Sequence, residues 1–147
     1  MRTVRVEKTI EAPIDQVFGV LTAHADYKKF RGVRDSSLVR EGTPQANGAG
    51  ALRRVVIGPL TFEEEITRFE SPVGMDYVIR KINAPLEHQG GSIDLRAFDQ
   101  GTRVVWTSTF EVKARVLGGL LTSVAAILIR LGFISVLRDT DRMLTRA

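Results

Sequence analysis

The sequence predicts an α+β fold: a curved antiparallel sheet of about seven strands wrapped around a long C-terminal helix, with two short helices after the first strand. Three observations predict this fold. The N-terminal residues change from strand-like alternation to helical spacing, and residues 33–112 repeat short apolar runs bounded by turn formers. The C-terminal residues are strongly apolar at helical spacing. The order of these patterns, more than any single motif, indicates the fold class.

The N-terminal segment is predicted to form a strand followed by two short helices. In "TVRVEKTIEAP", Val4, Val6 and Ile10 share one face, while charged and polar residues occupy the other, which is the period of an amphipathic strand. Pro13 stands where a first helical turn tolerates proline, and the apolar residues of "PIDQVFGVLT" follow at helical spacing. A second short helix is predicted over "ADYKKF", ended by Gly32.

The middle of the chain is predicted to form consecutive antiparallel strands. The segments with strand character are "GVRDSSLVREG", "ALRRVVIG", "LTFEEEITRFE", "MDYVIRKI", "GGSIDLRAF" and "TRVVWTSTFEV". Gly58-Pro59 and the segment "DQG" are short breaks that indicate hairpins, and loops rich in turn formers separate the other strands.

The C-terminal segment "VLGGLLTSVAAILIRLGFISVL", Val116 to Leu137, holds a single charged residue, Arg130. A membrane span needs about 20 mostly apolar residues, so length alone would permit one. Arg130 near the middle and the paired Gly118-Gly119 disfavour insertion. The concave face of the predicted sheet also needs a cover, and no other element is long and apolar enough. We therefore predict a helix over residues 117–146 that covers the sheet and does not span a membrane.

The composition fits one globular domain over residues 1–147, with 44% hydrophobic and 26% charged residues. The absence of cysteine excludes disulfides, thiolate metal sites and thiol nucleophiles. The N-terminus has no continuous apolar region, so we expect no secretory signal and a cytoplasmic location. The net charge is +4, but the basic residues are dispersed apart from the cluster in "KKFRGVR". Because no nucleic-acid motif surrounds that cluster, we expect no nucleic-acid partner.

Three segments in this order resemble the START-like (SRPBCC) superfamily of helix-grip domains, in particular its polyketide cyclase/dehydrase-type branch. "IEAPIDQVFGVLTAHADYKKF" is similar to the opening of that family, and "GGSIDLRAFDQGTRVVWTSTFEV" resembles its last hairpin. "LGGLLTSVAAILIRLGFISVLRDTDRML" resembles its closing helix. The resemblance spans essentially the whole chain and implies a ligand cavity between the sheet and that helix.

Strand alternation predicts which side chains would line such a cavity. Burial of the Trp106 indole and of Phe110 sets the inward face of the last strand, and the same rule orients the neighbouring strands. The predicted ligand-binding residues are Phe62, Tyr77, Ile79, His88, Leu95, Trp106, Ser108, Leu120, Val124 and Leu128. A cavity with apolar walls and few polar groups is a common small-molecule site.

Glu64 is the candidate catalytic residue, because it shares the predicted inward face of "TFEEEIT" with Phe62 and Ile66. A carboxylate desolvated in an apolar cavity can exchange protons near neutral pH. The alternative is an ion pair with Arg53 or Arg54 on the neighbouring strand. An arginine partner would rule out the acid/base role.

The two histidines are expected to differ in their environments. His24 is expected to be solvated or to contact a helix end, whereas His88 lies near the predicted mouth of the cavity. Two distant histidines without cysteine make a poor metal site, and no nucleotide-binding motif is present, so no cofactor is predicted.

Three hypotheses for the function remain open. The leading one is the binding, or transport, of a small hydrophobic ligand such as a lipid, polyketide or aromatic metabolite. The second is a cyclase or dehydratase in which Glu64, with His88 or Tyr77, moves protons. The third is a membrane-associated or protein-interaction module that uses the apolar helix. The sequence does not specify the ligand or the oligomeric state.

Overall fold

The computed structural model describes residues 1–145. A strand, an α-helix and a short 3-10 helix are followed by six strands and a long helix. The strands are β1 Arg2–Ile10, β2 Val33–Arg40, β3 Leu52–Ile57, β4 Leu60–Glu70, β5 Gly74–Ile82, β6 Leu86–Phe98 and β7 Gly101–Val112. The helices are α1 Ile14–Thr22, the 3-10 helix His24–Lys29 and α2 Gly118–Thr145. This order confirms the predicted elements, and Arg146, the last residue of the predicted C-terminal helix, lies outside the described residues.

The seven strands form one antiparallel sheet in the order β1-β7-β6-β5-β4-β3-β2. Strands β2 to β7 follow one another as a meander, and β1 pairs with β7, so the N-terminus returns to the far edge of the sheet. The alternation read from the sequence holds in β1, where Val4, Val6 and Ile10 are buried and the residues between them are exposed or half-buried. The predicted α+β architecture is thereby confirmed.

Helix α2 packs along β1 and β7 and touches α1. Its inward face carries Thr122, Ala126, Ile129, Phe133 and Leu137, spaced by three and four residues, which are buried or half-buried against the sheet. Small residues near the helix start allow close approach, and Thr122 Oγ1 accepts a hydrogen bond from the Val112 amide of β7 at 3.0 Å. One helix face is therefore fixed to the domain.

Candidate functional site

The sheet opens between β5 and β6. These strands pair only from Gly74–Tyr77 to Gly91–Asp94, and beyond that point the end of β5 and the start of β6 diverge. At that point the His88 side chain replaces the backbone of β6 as the hydrogen-bond partner of β5. The Ile79 amide donates to His88 Nδ1 at 3.0 Å. The exposed end of β5 thus keeps a hydrogen-bond partner while the strands stand apart.

A cavity of about 550 Å³, open to solvent, occupies this gap. Its walls come from the end of β5, the start of β6 and the loop between them, and include Ile79, Ile82, Leu86 and His88. Charged residues share the lining: Arg80, Lys81 and Lys113 are basic and Glu87 is acidic. The volume lies within the range of small-molecule sites, roughly 300–1,000 Å³.

A chain of hydrogen bonds leads from the cavity wall into the core. Because Nδ1 of His88 accepts the Ile79 amide proton, the neutral ring carries its proton on Nε2, which donates to Ser108 Oγ at 2.8 Å. Deeper in the core, the Trp106 indole N–H donates to the Tyr77 hydroxyl, also at 2.8 Å. Burial lowers the pKa of His88, against the opposing effect of the Glu64 carboxylate. His88 is therefore neutral at neutral pH.

Tyr77 lies against β6 because that strand has glycine at position 91. A Cβ added at Gly91 would stand 2.4 Å from the Tyr77 ring, closer than real side chains allow. The phenol stacks on His88 with 5.5 Å between the ring centroids and 17° between the ring planes. Burial and the nearby Glu64 carboxylate raise the pKa of the Tyr77 hydroxyl, so it is protonated at neutral pH.

A second polar cluster lies beside this chain and is closed to solvent. Arg53 donates from Nε to Glu64 Oε2 at 2.8 Å, and both side chains are buried. Arg53 also bonds to His24 Nδ1 at 3.2 Å, and His24 Nε2 bonds to the Asn47 carbonyl at 2.9 Å. The Arg53 guanidinium stacks over the Tyr27 ring at 4.7 Å. Each group has a partner, which is what burial of charge requires.

The structure brings several predicted site residues together. Tyr77, Trp106 and Ser108 are buried in the hydrogen-bonded region, and His88 and Ile79 line the cavity. Leu95 is part of the hydrophobic core, and Phe62 lines a separate cavity of about 180 Å³ beside Ile82.

Glu64 points inward as predicted, but it has an arginine partner. The pairing with Arg53 is the alternative that the sequence left open, and it fails the condition set for an acid/base role. The pairing register explains the choice of arginine, because β3 and β4 align Arg53 with Glu64 and Arg54 with Glu63.

Two expectations about the C-terminal helix are wrong. Leu120, Val124 and Leu128 do not line a cavity, since they lie on the exposed face of α2. The space beneath the helix is filled at Trp106, whose ring stacks on Phe133 with 4.1 Å between centroids. The 550 Å³ cavity lies instead between β5 and β6. Small Thr122 and Ala126 let the opposite helix face approach the sheet, and this turns the leucines outward.

His24 also differs from the expectation of a solvated side chain. It is fully buried, and burial together with the Arg53 guanidinium lowers its pKa to about 3. The sequence held a signal for the burial of Arg53. Arg53 and Val55 alternate on one face of β3, Ala51 just before the strand continues the alternation, and all three are buried. No local pattern around His24 marks its contact with Arg53.

Comparison with known families identifies the chain. A profile described as "Polyketide cyclase / dehydrase and lipid transport" matches residues 1–137. The chain belongs to this family. Its membership confirms the START-like, helix-grip resemblance stated from the sequence. The comparison with curated proteins gave no significant match.

Solved structures share the fold over nearly the full length. TTHA0849 from Thermus thermophilus is 22% identical with a TM-score of 0.78, over 96% of this chain and 95% of the other. The ZhuI aromatase/cyclase from Streptomyces sp. R1128 is 19% identical with a TM-score of 0.77, over 96% and 94%. A START superfamily protein from Mycobacterium smegmatis is 9% identical with a TM-score of 0.75, over 98% and 97%. At these identities the similarity shows the fold alone.

Proposed function

We propose that this protein binds a small hydrophobic ligand, such as a lipid, polyketide or aromatic metabolite, in the cavity between β5 and β6. The observation that carries the proposal is the separation of these strands, which leaves an open cavity of about 550 Å³ lined by both apolar and charged side chains, next to the buried Tyr77 ring. Sheets normally continue their backbone pairing. Here a histidine side chain holds the strand edge instead, and this keeps the space open.

The lining favours an apolar ligand with one polar or acidic end. Ile79, Ile82 and Leu86 offer apolar contact, whereas Lys81 and Lys113 place ammonium groups at the same cavity. Lys113 is near Glu87 and Glu111, and Arg80 is paired with Glu65 at 2.8 Å, so Lys81 is the cation better placed to meet an acidic group on the ligand. The family description, which includes lipid transport, supports a ligand of this class.

The cyclase or dehydratase alternative has less support from the contacts. The Glu64 carboxylate is paired with Arg53, and both ring nitrogens of His88 are engaged in hydrogen bonds. Glu64 is also absent from the cavity lining, and the two nitrogens of His88 are occupied by the Ile79 amide and the Ser108 hydroxyl. The similarity to an aromatase/cyclase is what keeps this alternative in view.

Ligand binding can be followed through the single tryptophan, because Trp106 is buried and linked to Tyr77. We expect saturable changes in Trp106 fluorescence with fatty acids or aromatic probes. Ala84→Phe fills the cavity that Ala84 lines and should weaken binding about tenfold or more. Ala97→Phe is the matched control, because Ala97 is exposed at the far end of β6 and should leave affinity unchanged.

The proposal fails if no probe binds saturably, or if Ala84→Phe and Ala97→Phe bind alike. The enzyme alternative is checked in the same samples by deuterium exchange at the α-carbon of a β-keto thioester. Exchange above background that is lost in Glu64→Gln, with probe binding retained, would favour catalysis over simple binding.

A further inference from the structure

The outward face of α2 is apolar over four turns and packs against nothing in the described chain. We call this surface the apolar face; it comprises Leu117, just before the helix, and Leu120, Val124, Ile127, Leu128 and Leu131. Each of these side chains is between 46% and 64% exposed. The face extends about 21 Å, from Leu117 to Leu131 at 1.5 Å per residue. Contiguous exposed apolar patches of this kind mark interaction sites.

The fold does not require the apolar face. Contacts with the sheet come from the opposite side of α2, where Thr122, Ala126, Ile129 and Phe133 lie. A helix that serves only to cover a sheet carries polar residues on its outer side. By length and composition α2 could cross a membrane, but its inner face is packed on β1 and β7. The helix therefore lies along the domain surface with its leucines outward.

Along the chain, the segment that carries the apolar face has charges of one sign. From Lys113 to Arg138 the chain has four basic residues and no acidic one. Arg138 lies two turns beyond Leu131 on the same side of the helix, and Arg130 lies toward its edge. Arg115 precedes the helix. Among residues 1–145, the exposed Arg115, Arg130 and Arg138 take part in no salt bridge, and the exposed sheet residues Arg34 and Arg96 are likewise unpaired.

We propose that the apolar face and its flanking arginines dock the domain on an anionic membrane surface. Leucine side chains would enter the boundary between headgroups and acyl chains while the arginines meet lipid phosphates, as in interfacial amphipathic helices. A second copy of the chain is a poorer occupant. A symmetric contact through this face would bring the same arginines together, and the segment from Lys113 to Arg138 has no acidic residue to pair with them. The proposal does not depend on the ligand cavity.

Vesicle flotation of the full chain tests this. We expect binding to vesicles of equal parts phosphatidylcholine and phosphatidylglycerol, weak binding to phosphatidylcholine alone, and loss of binding at about 0.5 M salt, where charges are screened. Leu120→Ser/Leu128→Ser should lower the partition coefficient at least tenfold, because two leucine side chains no longer contribute apolar surface that is buried in the membrane. The matched control, Leu60→Ser/Val73→Ser, removes exposed apolar groups from the sheet turns and should bind normally.

The charge is tested separately. Arg130→Glu/Arg138→Glu should lower binding to anionic vesicles at least tenfold. Its control is Arg34→Glu/Arg96→Glu, which changes the net charge equally on exposed sheet residues. All variants should keep the circular dichroism spectrum and probe binding of the parent protein, so that failure here is distinct from failure of the ligand proposal.

Three outcomes would overturn the proposal: absence of vesicle binding by the parent protein, equal loss in a variant and its control, or binding insensitive to lipid charge. A parent protein that ignores vesicles but forms a dimer broken by Leu120→Ser/Leu128→Ser would assign the face to a second copy instead. Sedimentation velocity on the same samples separates that result from docking.

Discussion

Two clusters of buried polar side chains lie side by side in the sheet interior, but they differ in their access to solvent. The Arg53 cluster, with Glu64 and His24, is enclosed on all sides and every member has a partner. The His88 chain, with Ser108, ends at a cavity wall. Enclosure makes the first group part of the structural core, whereas access makes the second a candidate for meeting a ligand. Residue type alone does not distinguish them, since each group contains a histidine.

The largest effect is expected from breaking the enclosed pair. Arg53→Met leaves the Glu64 carboxylate buried without its partner and should reduce the free energy of unfolding by about 3–5 kcal/mol. Adding Glu64→Leu should recover most of that loss, because the charge is then removed as well. Urea denaturation of the single and double variants measures both values.

The matched control is the adjacent pair on the same two strands. Arg54 and Glu63 form a salt bridge at 2.9 Å, but Arg54 is half exposed. Arg54→Met should therefore cost less than about 1 kcal/mol. Equal costs for Arg53→Met and Arg54→Met would contradict the view that the inner pair is a buried structural ion pair.

A smaller effect should appear as the pH dependence of stability. Burial lowers the pKa of His24 to about 3 in the folded protein, below its ordinary value of about 6.5. The unfolded chain therefore binds more protons between these values, and stability is lost as the pH falls through this window. The loss amounts to about 2 kcal/mol between pH 6 and pH 4.5. Above about pH 6.5 the contribution is fully present.

Replacement of His24 isolates this contribution. In His24→Gln the unfolding free energy, measured by urea at several pH values, should fall less steeply on acidification than in the parent protein. The slope of the unfolding free energy against pH is not affected by any pH-independent loss of stability that the substitution causes. Parallel curves for the two proteins would show that the Arg53 guanidinium and burial do not hold His24 neutral.

Local patterns were enough to predict the strands and the closing helix. Alternation in β1 and β7, together with the glycine-containing turns, indicated the order of the strands along the chain. Strands joined by short turns form a meander, which leaves few ways to arrange them in a sheet. The inward direction of Glu64, Tyr77 and Trp106 followed from the same period of two.

The errors arose where one pattern permitted two arrangements. Leucines at steps of three and four marked a real stripe on α2, but the apolar content of both faces left open which side meets the sheet. The residues that pack inward, Thr122 and Ala126, are small, and apolar periodicity gives them little weight. The gap between β5 and β6 depends on where pairing stops, which no residue pattern specifies directly. Gly90-Gly91 was the nearest signal, since Gly91 makes room for Tyr77.

The smallest effect on stability is expected in the His88 chain, which ends at the cavity wall. Ser108→Ala removes the acceptor of the His88 Nε2 proton and should lower the unfolding free energy by only about 1 kcal/mol, because His88 can turn toward water in the cavity. The local consequence should be clearer. With His88 less firmly held, the Ile79 amide that donates to it should exchange with deuterium about tenfold faster. The amide of Leu95, which donates to the Val73 carbonyl, should be unchanged. A loss of unfolding free energy close to that of Arg53→Met, with equally faster exchange at both amides, would contradict this. It would mean that Ser108 belongs to an enclosed cluster and that the His88 chain and the Arg53 cluster form one unit.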